Sequence, residues 1–68
     1  MSEVIQINGK DENFAGGSVA ALVAARGMTG KRGVAVAVNG AVVPARRWQE
    51  LILAPGDEVE IVRPFGGG

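Results

Sequence analysis

The sequence predicts an α+β domain: a mixed sheet of four to five strands with one main helix packed on one face. Three observations predict it. Two Asn-Gly dipeptides, Asn8-Gly9 and Asn39-Gly40, each separate strand-forming runs and so mark two hairpins. Between the hairpins lies one stretch with helical spacing, Val19, Leu22 and Val23 at i, i+3 and i+4. Beyond the second hairpin, Glu58 to Arg63 alternates polar and apolar residues in the manner of a half-buried strand.

Each element has its own local cause. Val4-Ile5-Gln6-Ile7 is rich in β-branched residues and starts the first hairpin. Asn8-Gly9 supplies the two positive φ angles of a type I′ turn, and a weaker strand returns over about Lys10 to Phe14. Ala15-Gly16-Gly17 breaks that strand. Ser18 is positioned as an N-cap, its hydroxyl accepting from a free backbone N–H. Ala20, Ala21, Ala24 and Ala25 fill the remaining helical positions with high propensity. Arg26 suits the negative end of the helix dipole. Gly27 fits a left-handed C′ position, with Met28 making the apolar contact that accompanies it. A helix of about nine or ten residues is expected.

Thr29 to Gly33 reads as a loop. Val34-Ala35-Val36-Ala37-Val38 is apolar throughout, which predicts burial on both faces or nearly so. Its small alanines would let a helix or another chain approach closely. Ala41-Val42-Val43 pairs back across Asn39-Gly40, and Pro44 limits further pairing. Trp48, Leu51, Ile52 and Leu53 are expected to cover one end of the core through a turn of 3₁₀ helix and a short strand. Ala54-Pro55-Gly56-Asp57 meets the requirements of a type II turn. In the last strand Val59 and Ile61 point inward, and Glu58, Glu60 and Val62 outward.

The order is therefore hairpin, helix, hairpin, final strand. A helix between two hairpins must pack on one face of the sheet they form. The long crossover allows the first strand to lie parallel to a later one. That arrangement is a β-grasp, or ubiquitin-like, roll. It spans residues 1–63 as one domain, followed by a flexible, glycine-rich tail over 64–68.

Composition narrows the function. A chain of 68 residues buries only about 60% of its unfolded surface, too little for a deep enclosed pocket. Seven basic and seven acidic residues cancel, which argues against a dedicated nucleic-acid binder. Cysteine, histidine and tyrosine are all absent, which removes the thiolate nucleophile, the commonest general base and the usual metal ligands. Met1-Ser2-Glu3 has none of the marks of a signal peptide, and no apolar run reaches the roughly 20 residues of a membrane helix. A cytoplasmic protein, away from membranes and without a permanently bound cofactor, is expected. Gly16-Gly17 is not a phosphate loop, because no Lys-Ser/Thr follows.

The tail, Arg63-Pro64-Phe65-Gly66-Gly67-Gly68, is the feature these absences leave standing. Glycine makes the thinnest and most pliable backbone available. Such an end can thread a narrow channel and present its carboxylate unhindered. Extended, it spans roughly 20 Å. A frayed, functionless end is the plain alternative.

Several runs together resemble a known family. Ile5-Gln6-Ile7-Asn8-Gly9 opens the chain. Val36-Ala37-Val38-Asn39-Gly40, Val42-Val43-Pro44 and Trp48 follow. Pro55-Gly56-Asp57-Glu58-Val59-Glu60-Ile61-Val62 leads to the closing Gly67-Gly68. In that order they resemble the ThiS family of sulfur carriers in thiamine biosynthesis, within the MoaD/ThiS superfamily. The resemblance covers essentially the whole chain. One departure is that the family ends in two glycines where this chain has three.

The resemblance implies a protein cosubstrate rather than an enzyme. A ThiF-type adenylating enzyme, using ATP and Mg, would convert the Gly68 carboxylate to an acyl-adenylate. Sulfur from a cysteine-desulfurase relay would displace AMP and leave a thiocarboxylate. A ThiG-type thiazole synthase would accept that sulfur for the thiazole of thiamine. Gly66 and Gly67 would thread the partners' active sites, gripped in a strand-like way. The free protein is expected to be a monomer. If Gly67 were the working end, Gly68 would block the chemistry until removed.

Docking needs a surface. Val62 is apolar at an outward position directly before the tail, and Phe65 lies within it. With Arg63 they are expected to form part of the patch that partners read. The alternative is that Val62 packs under a loop and Phe65 covers the sheet edge. Trp48 is either an interface anchor or, as is commoner for a lone tryptophan, a lid on the core. Arg46-Arg47 either steers an acidic partner or faces Glu58 or Glu60 across strands. Two rival functions remain at this level. One is a sister carrier, such as a molybdopterin synthase small subunit. The other is a β-grasp interaction module or ubiquitin-like modifier.

Overall fold

The computed structural model describes residues 4–14, 16–28 and 33–63. Its elements run β1 (Val4–Ile7), β2 (Lys10–Asn13), β3 (Gly17–Ser18), α1 (Val19–Ala25), β4 (Ala35–Val38) and β5 (Ala41–Val43). A 3₁₀ turn over Ala45–Arg47 precedes β6 (Ile52–Leu53) and β7 (Glu58–Val62). Five strands form one sheet in the order β2-β1-β7-β4-β5. β7 is central: it runs parallel to β1 and antiparallel to β4. The mixed sheet with one helix on one face is the expected β-grasp roll.

Both hairpins close through the expected turns. Asn8 and Asn39 each have φ of 52°, followed by Gly9 at 84° and Gly40 at 85°. Such left-handed pairs match the right-handed twist of the flanking strands. The 54–57 turn also forms, with Gly56 at φ 90° and Asp57 N–H donating to Ala54 C=O at 3.1 Å.

Helix α1 is seven residues, shorter than its pattern suggested, because both ends are sealed tightly. Ser18 Oγ accepts from Ala21 N–H at 3.1 Å. The other free N–H groups of the first turn are met from a distant loop: Val19 donates to Leu51 C=O and Ala20 to Trp48 C=O. At the C-terminus Gly27 takes φ 74°, and Gly27 and Met28 N–H donate back to Ala24 and Val23 C=O at 3.0 and 3.1 Å. That is a Schellman motif, and it stops the helix at a glycine. Arg26 caps the helix, and its guanidinium bonds Glu12 on β2 at 2.9 Å. Ser18→Ala should cost about 1 kcal/mol by removing the one side-chain cap. A melting curve checks this; an unchanged Tm would show that the loop carbonyls suffice.

The core is Ile5, Ile7, Val19, Leu22, Val23, Met28, Val36, Leu53, Val59 and Ile61. It lies between α1 and one face of the sheet. Three expectations fail around it. The 34–38 run is not buried on both faces: Val36 is buried, but Ala35 is exposed and Ala37 only half-buried. One helix can cover only one side of a sheet. Of the residues expected to close the end of the core, Leu53 is buried and Trp48 packs against it, but Leu51 and Ile52 are exposed. They lie exposed because this segment is held by backbone bonds to α1 and by β6 pairing with β3. Arg47 reaches neither Glu58 nor Glu60; it pairs locally with Glu50 at 3.4 Å. That exposed contact is worth little.

Candidate functional site

The site is built around the end of β7, where the chain leaves the sheet. Val59 and Ile61 are buried toward α1, and the alternation puts Glu58, Glu60 and Val62 on the opposite, open face. Val62 is 61% exposed, so it does not pack under a loop. It pairs with Ala35 on β4, and Ala37 pairs with Val42 on β5, which is 76% exposed. These residues make an apolar strip on the open face. Glu60 lies beside it, paired with Ala37, and Glu58 follows along β7. Exposed apolar groups grouped this way are characteristic of interaction sites.

Arg63 is exposed and borders a polar depression with Asn8, Arg26, Met28 and Ile61. Two cations therefore stand near the exit, one of them already paired with Glu12. Among the described residues no cluster of His, Cys, Asp or Glu could hold a metal ion, and no helix is long and apolar enough to cross a membrane.

The start of β7 is gripped from both sides. Gln6 N–H donates to Asp57 C=O at 2.9 Å and Gly56 N–H to Val4 C=O at 2.8 Å. Asn39 N–H donates to Glu58 C=O at 2.7 Å, while Asn39 Oδ1 accepts from Glu58 N–H at 2.9 Å. Asn39 Nδ2 donates to Asp57 Oδ1 at 3.0 Å, and Asp57 Oδ2 accepts from Ala54 N–H at 2.8 Å. The other hairpin does the same near the exit. Asn8 Oδ1 accepts from Ile61 N–H at 2.9 Å, and Asn8 Nδ2 donates to Ile61 C=O at 3.3 Å. Both turn asparagines thus hold the strand that carries the tail. The sequence signals only their turn role, although the choice of Asn at both positions hints at use of the amide.

The model of one protein family, ThiS, matches residues 4–68, which takes in the whole sheet and the terminal glycines. The chain belongs to the ThiS family. Its fold also matches the crystal structure of a thiamine biosynthesis protein, ThiS, from Geobacter metallireducens. The TM-score is 0.79 at 26% identity, over 96% of this chain and 99% of that one. No curated protein matches the sequence.

Against the ThiS expectations, the structure brings Val62 and Arg63 together at the exit on exposed positions. Phe65, Gly66, Gly67 and Gly68 lie outside the described residues. Trp48 takes the lid role: it is half-buried against the core and its Nε1–H donates to Val43 C=O at 2.8 Å. That bond satisfies its polar edge internally.

Proposed function

We infer that this protein is a sulfur carrier of thiamine biosynthesis, working through its terminal glycine. The observation that carries the inference is the ThiS family match, which runs unbroken into the glycine tail at residue 68. The structure adds a reason for the division of labour. The domain supplies a rigid body and an exposed apolar strip for docking, while the chemistry belongs to the partners.

A carboxylate resists nucleophiles because of its charge, so it needs a leaving group first. A ThiF-type enzyme with ATP and Mg supplies one: a Gly68 carboxylate oxygen attacks the α-phosphorus and pyrophosphate leaves. The outer sulfur of a persulfide charged by a cysteine desulfurase then attacks the acyl carbon and displaces AMP. A second thiol cleaves the resulting acyl disulfide, releasing the thiocarboxylate and becoming part of a new disulfide. The resulting thiocarboxylate gives its sulfur to a ThiG-type thiazole synthase. The carrier needs no catalytic side chain of its own in this scheme. Gly66 and Gly67 pass through the partner's channel, and Phe65, Arg63 and Val62 dock at its mouth.

The test is direct. The chain is incubated with a ThiF-type enzyme, ATP and a sulfur source, and its intact mass is taken. A gain matching exchange of one oxygen for sulfur supports the carrier; no change, or conjugation to a lysine, counts against it. Docking has its own prediction. Phe65→Ala and Val62→Glu should each raise the KM for the carrier by about tenfold, the loss of one buried apolar contact, without lowering Tm. An unchanged adenylation rate would remove that residue from the patch.

A further inference from the structure

We propose that Asn8 is a positioning residue for the tail: its side-chain amide clamps the Ile61 backbone and so fixes the point at which the chain leaves the sheet. The proposal rests on the carrier function inferred above. β1 accompanies β7 only partway. The register pairs Gln6 with Glu58 and Ile7 with Val59, and Asn8 N–H makes the last main-chain bond, to Val59 C=O at 2.9 Å. β1 then turns away through Gly9. Ile61 N–H and C=O, which face the β1 side, are left beyond its backbone.

The Asn8 amide fills that gap. It offers one acceptor and one donor, the same pair a strand peptide would offer. Asn8 makes these bonds from a left-handed backbone, φ 52°. The two bonds are partly buried and link residues 53 positions apart. On the other side, Val62 pairs with Ala35. β7 is thereby held on both edges until its last residues. Without the clamp, Ile61 to Arg63 would be free to fray into the tail. The docking strip and the origin of the tail would then no longer move as one body. Each extra residue that must be ordered on delivery costs about a factor of ten.

Asn39 provides a matched control. It has the same turn and the same φ, but its amide holds Glu58 and Asp57 at the opposite end of β7. Asn8→Gly and Asn39→Gly each keep the left-handed turn, which glycine adopts freely, and delete only the clamp. Both are compared with the wild-type chain for adenylation by a ThiF-type enzyme and for amide hydrogen exchange, at a temperature where all three are folded. Asn8→Gly should lose about tenfold or more in kcat, and its KM should rise as well, because Val62 and Arg63 of the docking surface loosen together with Ile61. Asn39→Gly should change neither by more than about twofold. Exchange should quicken at the Ile61 amide in Asn8→Gly and at the Glu58 amide in Asn39→Gly. Equal kcat losses in the two variants, or unchanged protection at Ile61, would overturn the proposal. A wild-type chain that is not adenylated would overturn the carrier function instead, and the exchange data would still decide whether Asn8 holds Ile61.

Discussion

Removal of Gly68 should abolish thiocarboxylate formation, the proposed reaction, while leaving the fold intact. The deletion leaves Gly67 as the new terminus, so the reacting group is still a glycine carboxylate. What changes is its reach. One residue of extended chain is about 3.4 Å. A misplacement of about 1 Å from attack geometry already costs on the order of 10²-fold. A partner that recognises the domain surface and reads the tail from a fixed origin cannot recover that length. The mass gain in the sulfur-transfer assay should therefore fall by 10²-fold or more. Thermal stability should not change, because the described core residues all lie between Ile5 and Ile61. Retained activity in the shortened chain would place the working carboxylate at Gly67 and make Gly68 a residue to be trimmed. The family's usual pair of glycines makes this the sharpest test of the tail.

Leu22→Ala has the largest expected effect on stability. Leu22 is 3% exposed and sits between Val19 and Val23 on the buried stripe of α1. Truncation removes its transfer free energy and leaves a cavity, at about 2–5 kcal/mol. A domain of this size has only about 3–10 kcal/mol in total, at roughly 0.05–0.15 kcal/mol per residue. The variant should be close to unfolding at 37 °C. Urea denaturation gives the measurement, with a lower midpoint and an unchanged slope. Leu51→Ala is the comparison: this leucine sits at the surface, and its loss should stay within about 0.5 kcal/mol. Similar losses for the two leucines would show that the helix is not seated as described.

The two experiments separate the roles of the molecule. The body tolerates little change inside, because ten buried apolar side chains make up its described core. The tail end is chemically simple, and under the proposed function its requirement is length. The strip of Val62, Ala35, Ala37 and Val42 lies between these regimes, exposed in the free protein and available to a partner.

Features that depend on a few neighbouring residues were legible in the sequence. The two Asn-Gly turns, the Ser18 cap, the Val19-Leu22-Val23 stripe, the Gly27 stop and the alternation of the last strand each rest on local sterics or spacing. Together they sufficed for the β-grasp topology. The glycine tail and the outward Val62 were equally plain, being matters of residue type and parity. Other features required the fold to bring distant segments together. The β3–β6 ribbon pairs Gly17 and Ser18 with Leu53 and Ile52, and no two-residue strand carries a pattern of its own. The open second face of Ala35 and Ala37 follows from α1 covering one side of the sheet, with no second α-helix among the described residues. Arg47 pairs with Glu50 three positions along the chain, a local contact that the expected cross-strand partners did not displace. The asparagine amides show the difference most clearly. Their turn role is written in two adjacent letters, but their grip on β7 exists only because the central strand is laid beside them. A hydrogen bond between residues 8 and 61 is a property of the assembled sheet, since only packing brings those two atoms within 3 Å.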